Sequence, residues 1–465
     1  MKLAKLPILK ILESQTANQW LVNYDNSELL NLTQELIAIF TNFRDKYDCK
    51  PTILILDIDP IRFIAGLLAA IALEFPVFVG NPHWQNSELE FVIQLIQPNL
   101  IVAKSLQVIV KKAQQTTNQF PQVPSNSLIG ISTGGSSGKI RFAIHTASSL
   151  TASATAFANY FSTPTINSYC TLPLYHVSGL MQLWRSLITK GKLAIVSYRN
   201  LKQGIKTQVN YHSYYLSLVP TQLQFLLDYD CDWLQGFQTI LLGGAPAWRS
   251  LLTAARNKQL PISLTYGMTE TAAGVSYLLP QDFLAGNNSN GKILAHAQVT
   301  IITEDNQQNF DNQVGTIQIQ GKSLYQGYYP DFLPRSTPFL TDDLGFLDNL
   351  GYLYLVGRNS HKIISGGENI YPQEIESAIL ATKLVKDVCV LGIADQKWGQ
   401  AVTAIYVPIN ESSELASIQQ QLQHRLSKYK QPKHWLSVSS LPRNFKGKLN
   451  YPQVKEIAHN LLQNS

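Results

Sequence analysis

Short apolar runs separated by stretches long enough for a helix recur along this chain, and that alternation constrains the fold more than any other feature. Thr52 to Leu56, Pro76 to Val79, Ile101 to Ala103, Leu193 to Val196 and Thr239 to Leu242 have the length and composition of strands. Ile61 to Leu73, between the first two, has helical length and leads into the strand-like FPVFVG. Such alternation gives an α/β organisation in which loops that follow strands face a ligand. At 465 residues the chain exceeds what one core supports, so more than one domain is expected. From Ile293 to Tyr329 the texture changes to short strands joined by turns, which reads as a smaller β-rich unit. The tail after Arg358 has its own signals. YPQEIESAIL places Ile375 and Ile379 on one helix face, Leu415, Ile418, Leu422 and Leu426 form a helical stripe, and VCVLGIA and VTAIYVPI are strand-like.

Composition excludes several classes. The longest apolar stretch, Phe63 to Leu73, is too short to span a bilayer and reads as a buried helix, so no transmembrane segment is expected. With no leader-like segment visible, the expected location is the cytoplasm. Cys49, Cys170, Cys231 and Cys389 lie too far apart for a zinc site or a disulfide framework and read as buried thiols. The net charge of +6 is spread without a basic block, which argues against nucleic-acid binding.

STGGSSGK, residues 132–139, is rich in glycine and hydroxyls and ends in a lysine. It is not a Walker loop, because Thr133 stands where that motif needs glycine and Ile140 where it needs a hydroxyl. Gly134, Gly135 and Gly138 still allow backbone N–H groups to converge, Ser132, Thr133, Ser136 and Ser137 add donors, and Lys139 adds charge. Alone, the loop fits a phosphate cradle and a flexible turn equally. YGMTE, Tyr266 to Glu270, ends in a carboxylate suited to Mg²⁺, and TDDLG with the following Gly357 and Arg358 offers charged partners. Each of these taken singly could be a turn or an ion pair.

In order, STGGSSGK, YGMTE, TDDLG, GRNSHKIISGGENIYPQEIE and LPRNFKGK resemble the adenylate-forming family of acyl-CoA and aryl-CoA ligases, luciferases and peptide-synthetase adenylation domains. The resemblance runs from LLAAIALEFPVFVGNP to LPRNFKGKLN. It implies an α/β fold: a large multi-subdomain N-terminal domain, residues 1–358, that binds ATP and the acyl substrate, and a small mobile α+β C-terminal domain, residues 359–465. It implies that the loop from Thr133 to Lys139 wraps the β and γ phosphates, with Ser132 also among the nucleotide-binding residues, that Thr269 lies near the α phosphate and that Glu270 holds magnesium. Gly243, Gly244, Ala245 and Pro246, with Tyr266, would line the adenine, and Gly267 would be a further nucleotide contact. Asp343 would bind the ribose, Arg358 would make a second ribose or phosphate contact, and Asp342 is read as a surface residue. Lys448 would bridge the substrate carboxylate and the α phosphate. Ser360 would be the hinge, and the loop with Gly366 and Gly367 would line the thiol tunnel.

Within the family, the short chain, HVSG and IISGGENIYPQEIE resemble the subgroup that joins o-succinylbenzoate to CoA in menaquinone or phylloquinone biosynthesis. This implies ATP, Mg²⁺ and CoA as cofactors or co-substrates and an aromatic dicarboxylate as the acid. Another aryl- or short acyl-CoA ligase and a carrier-protein-loading adenylation enzyme are the nearer alternatives, and a non-catalytic nucleotide binder is the one from a different class. His176 and Ser178 would line the acyl pocket, His176 with a role in catalysis. Thr265 and Thr271 are further candidates for the second carboxylate. A homo-oligomer is compatible with the sequence.

Overall fold

A computed structural model describes residues 7–104, 107–108, 128–134, 140–303, 312–333, 337–366, 368–410, 415–443 and 449–463. Two eight-stranded sheets form its larger part. The first has a parallel centre, Leu128–Gly134, Val77–Val79, Ile53–Ile55 and Leu100–Val102, extended by antiparallel Ile140–Thr146. The second runs parallel through Leu21–Val22, Leu193–Ile195, Asn167–Cys170, Tyr214–Leu218, Thr239–Leu242 and Ile262–Met268, then closes with antiparallel Ala273–Tyr277 and Lys292–Ile293.

One apolar cluster joins residues of both sheets through helices Pro7–Ala17, Asn26–Tyr47, Pro60–Ala72 and Val177–Ile188. Pro60–Ala72 shows why: eleven of its thirteen residues are buried, so it is apolar on every side and belongs between layers. Asp59 caps its N-terminus by accepting the Arg62 amide, and Pro60 occupies the first turn, where no N–H is needed.

The β-rich unit is split differently from the sequence expectation. Ala297–Ile302 and Gly315–Gly321 join Phe339–Leu347 and Leu353–Arg358 in an antiparallel sheet. Gly327–Tyr328 instead pairs with Ala143 at the edge of the first sheet, and that brings Tyr328 to the site described below. The tail builds a fourth sheet on the long hairpin Val385–Asp395 and Gly399–Pro408. Val388 and Val390 face helices Pro372–Leu380 and Leu415–Gln423, and Cys389, Leu391 and Ile393 face Tyr451–Gln463. A strand covered on both faces needs this unbroken apolar run. The turn Asn359–His361 connects the third sheet to the fourth.

All four cysteines are free; Cys170, Cys231 and Cys389 are buried, but Cys49 is only half-buried, at the chain's exit from a long helix. Among the described residues, no helix is long and apolar enough to cross a membrane.

Candidate active site

The second sheet's parallel strands end together, and GGAP and YGMTE sit at the ends of two of them, where ligands of open α/β sheets bind. Gly243 follows Thr239–Leu242 with no room for a side chain, because a Cβ there would lie 2.1 Å from the Thr265 hydroxyl. That hydroxyl donates to the Leu242 carbonyl at 3.4 Å, so Thr265 ties two strands together. Gly244 has φ +79° and turns the chain into exposed Ala245 and Pro246. Tyr266 and Gly267 lie on the neighbouring strand. Tyr266 is buried, and its hydroxyl donates to Asp343 Oδ2 at 2.9 Å. Arg358 Nε donates to Asp343 Oδ1 at 3.1 Å across the antiparallel pair. Burial, then the Asp343 charge, raises the Tyr266 pKa, so the phenol remains a donor.

Thr269 and Glu270 form a short turn held from three sides. His145 Nε2 donates to the Thr269 carbonyl at 2.7 Å, the Tyr325 amide donates to the Glu270 carbonyl at 2.8 Å, and the Tyr328 hydroxyl donates to Glu270 Oε1 at 2.6 Å. Burial lowers His145 to about 4, which keeps the ring neutral and able to make that bond. Glu270 is buried, and its carboxylate is the group at this turn able to serve a cation. Among the described residues there is no cluster of three or more metal-ligating side chains. One carboxylate is nevertheless what Mg²⁺ needs when phosphates and water supply the other oxygens.

His145 also links this turn to the strand that carries Ser132, Thr133 and Gly134. Its strand, Ile140–Thr146, pairs with Leu128–Gly134 in a register that sets Thr133 opposite Arg141 and Gly134 opposite Ile140. Ser132 is buried, Thr133 is half-buried, and Gly135, Ser136, Ser137, Gly138 and Lys139 lie outside the described residues.

One expectation for the acyl side needs correction. Thr271 is fully buried, and its hydroxyl is taken up by the Met268 amide, the Met268 carbonyl and the Ala273 carbonyl, so it braces the turn and offers nothing to a substrate. Thr265 serves as the strut described above. His176 caps helix Val177–Ile188, its ring against Tyr175, and Ser178 is exposed in the first turn.

The sequence reading missed a buried cation on that helix. Arg185 is 4% exposed and forms no ion pair among the described residues. Its Nη2 donates to the Tyr277 hydroxyl at 2.8 Å, its guanidinium lies 4.0 Å from the Phe157 ring centroid, and its Nε has no partner. The Tyr277 hydroxyl abuts Gly274, four residues beyond Glu270. His296, also buried, has no partner for either ring nitrogen; burial and then the Arg185 charge lower it to about 4. The sequence signal was available: Arg185 is the sole charge in VSGLMQLWRSLI.

Asp342 is exposed but engaged. Its Oδ1 accepts the Ser360 amide at 3.0 Å and its Oδ2 the Ser360 hydroxyl. Gly366 has φ +60° and donates its amide to the Trp398 carbonyl at 2.9 Å. Gly367 and Lys448 lie outside the described residues.

Residues 49–329 match the model of the AMP-binding enzyme family, and residues 374–448 match that of the AMP-binding enzyme C-terminal domain. The chain is 31% identical to a 2-succinylbenzoate–CoA ligase of Enterococcus faecalis, over 79% of this chain and 81% of that protein. It is 35% identical to the ligase of the same name from Bacillus subtilis, over 61% and 59%. The o-succinylbenzoate CoA synthetase of Bacillus subtilis, solved with its acyl-adenylate intermediate, superposes with TM-score 0.80 at 25% identity over 96% of this chain and 97% of that one.

Proposed function

The chain belongs to the AMP-binding enzyme family, and from that premise we propose that it is an o-succinylbenzoate:CoA ligase. The observation that carries the choice of acid is Arg185. A guanidinium buried without a carboxylate is costly to the free protein, and an aromatic acid with a second carboxylate supplies the missing counter-ion. Neutral His296 adds a donor or acceptor beside it.

The chemistry follows in two displacements. The succinyl carboxylate oxygen attacks the α phosphorus of ATP, forming the acyl adenylate as pyrophosphate leaves. The CoA sulfur then attacks the acyl carbon, forming the thioester as AMP leaves and the thiol proton passes to solvent. Neither step needs a nucleophile from the protein, so its work is positioning and charge stabilisation. Residues Ser132 to Lys139 hold the outer phosphates; Thr269 donates at the α phosphate. Asp343, set by Tyr266 and Arg358, accepts from the ribose hydroxyls. Glu270 would hold Mg²⁺ together with the ATP phosphates, where the ion offsets charge on the leaving pyrophosphate. Lys448 stabilises charge as the carboxylate meets the α phosphorus, and His176 stands beside the acyl pocket. The working units are residues 1–358 and 359–465, with Ser360 as the hinge between them and Gly366 and Gly367 on the path of the thiol.

Purified protein with ATP, Mg²⁺, CoA and a panel of o-succinylbenzoate, benzoate, acetate and a medium-chain fatty acid tests the reading. Acid-dependent pyrophosphate release and thioester formation should both be strongest with o-succinylbenzoate. Preference for another acid would retain the adenylate chemistry and discard this substrate. Lys448→Ala should block adenylate formation and still convert a supplied acyl adenylate to thioester; equal loss of both would remove its separate role.

A further inference from the structure

Tyr328 meets Glu270 across two sheets, and the backbone on either side of it is tied down. The Gln326 amide donates to the Ile144 carbonyl at 2.7 Å and the Tyr329 amide to the Phe142 carbonyl at 2.9 Å, which pins Tyr328 opposite Ala143 at the edge of the first sheet. Paired residues of antiparallel strands share a face, and so do residues two apart in one strand, so Arg141 stands on the same face as Tyr328. Its guanidinium carbon lies 4.9 Å from the Tyr328 ring centroid. The Tyr325 ring packs edge-on at 5.0 Å, and the Tyr325 amide holds the Glu270 carbonyl at 2.8 Å. The strand that anchors Tyr328 also carries His145, whose ring holds the Thr269 carbonyl. One strand thus fastens both residues of the turn.

The hydroxyl of a phenol held in this way falls on Glu270 Oε1, at 2.6 Å. That length is in the range of an O–H donor on an ionised carboxylate. The last torsion of a glutamate is soft, and a single fixed donor on one oxygen is enough to set the plane of the group. We infer that Tyr328 is the positioning residue that fixes the Glu270 carboxylate for a divalent cation. The inference rests on the role proposed above for Glu270. A donor behind a metal-binding carboxylate orients it without touching the ion, and its loss weakens the ion by about 10- to 100-fold. The ring of a phenylalanine keeps the contacts with Arg141 and Tyr325 and removes the donor alone.

Calorimetric titration of the purified protein with Mn²⁺–ATP, and separately with ATP in EDTA, reads cation binding without turnover. Tyr328→Phe should weaken the binding of Mn²⁺–ATP about tenfold and change that of ATP in EDTA by less than about twofold. The Mg²⁺ concentration that gives half-maximal pyrophosphate release with o-succinylbenzoate should rise by a similar factor. The double variant Tyr328→Phe, Glu270→Gln should bind Mn²⁺–ATP no more weakly than Glu270→Gln alone, because the phenol acts through the carboxylate. Equal weakening in the two titrations of Tyr328→Phe, or a further loss on top of Glu270→Gln, would make Tyr328 a support of the fold or a contact of the nucleotide and overturn the inference. If Glu270→Gln binds Mn²⁺–ATP weakly while Tyr328→Phe binds as the parent does, only the positioning role falls; if Glu270→Gln itself binds as the parent does, the assignment of Glu270 falls and takes this inference with it.

Discussion

Arg185 and Arg358 lie in opposite surroundings. The Arg358 side chain is 44% exposed and already spends its Nε on Asp343, whereas Arg185 is buried with no carboxylate among the described residues. An exposed guanidinium costs little to hold and its pair is weak, because water competes for both charges. A buried one is costly until an anion reaches it, so a fold that keeps it reserves binding energy for a ligand. In the proposed reading the nucleotide edge would be assembled in advance, since Tyr266, Asp343 and Arg358 are bonded to each other, and the acyl edge would be completed by its substrate.

The contrast breaks first at Arg185. Arg185→Met should raise the KM for o-succinylbenzoate by about two to three orders of magnitude, the penalty of a buried carboxylate without its cation. The same variant should use the analogue lacking the ring carboxylate at least as well as the parent does, and its melting temperature should not fall. Steady-state kinetics on the two acids and a thermal melt decide this, and equal losses on both acids would make Arg185 a support of the fold.

At the other edge the losses should be smaller. Asp343→Asn should raise the KM for ATP about tenfold, since Tyr266 and Arg358 lose the charge they share. Tyr266→Phe removes one hydrogen bond and should raise it about fivefold, visible in pyrophosphate exchange against ATP concentration. If Tyr266→Phe costs as much as Asp343→Asn, the tyrosine contacts the nucleotide itself.

The smallest effects lie in stability against pH, where the two ends of the chain differ in sign. His145 is lowered by burial to about 4 from its ordinary 6.5. The unfolded chain therefore binds the proton first, and stability falls as pH drops from about 6.5 towards 4. Glu376, whose carboxylate accepts the Val390 amide, is raised by burial to about 7 from 4.5. Here the folded form keeps the proton, so the contribution is full below about 4.5 and is lost as pH rises through 7. Melting curves between about pH 4.5 and 8 should show His145→Gln flattening the acid side and Glu376→Gln the alkaline side, each by on the order of a few degrees.

What the sequence made legible follows from how each part is buried. Central parallel strands are covered on both faces, so they stand out as unbroken apolar runs, and Thr239 to Leu242 is a strand over those same residues. The motifs at their ends were legible as well, because glycines and carboxylates at fixed offsets need no knowledge of distant partners. Contacts made across the chain left no local mark. Tyr328 reaches Glu270 from 58 positions away and His145 reaches Thr269 from 124. Arg185 went unread because an arginine on a helix is ordinarily solvated, and only the burial of its whole surround shows otherwise.

Asp342 and Asp343 are neighbours in one strand, and the alternation of a strand sends them to opposite faces, one to the Ser360 turn and the other to Tyr266 and Arg358. A single residue inserted ahead of them would carry Asp342 into the place of Asp343 and put Thr341 at the Ser360 turn, so one of the two tasks would lose its carboxylate. Descendants of this sequence can therefore vary the side chains around that pair far more freely than they can vary the length of the segment that leads into it.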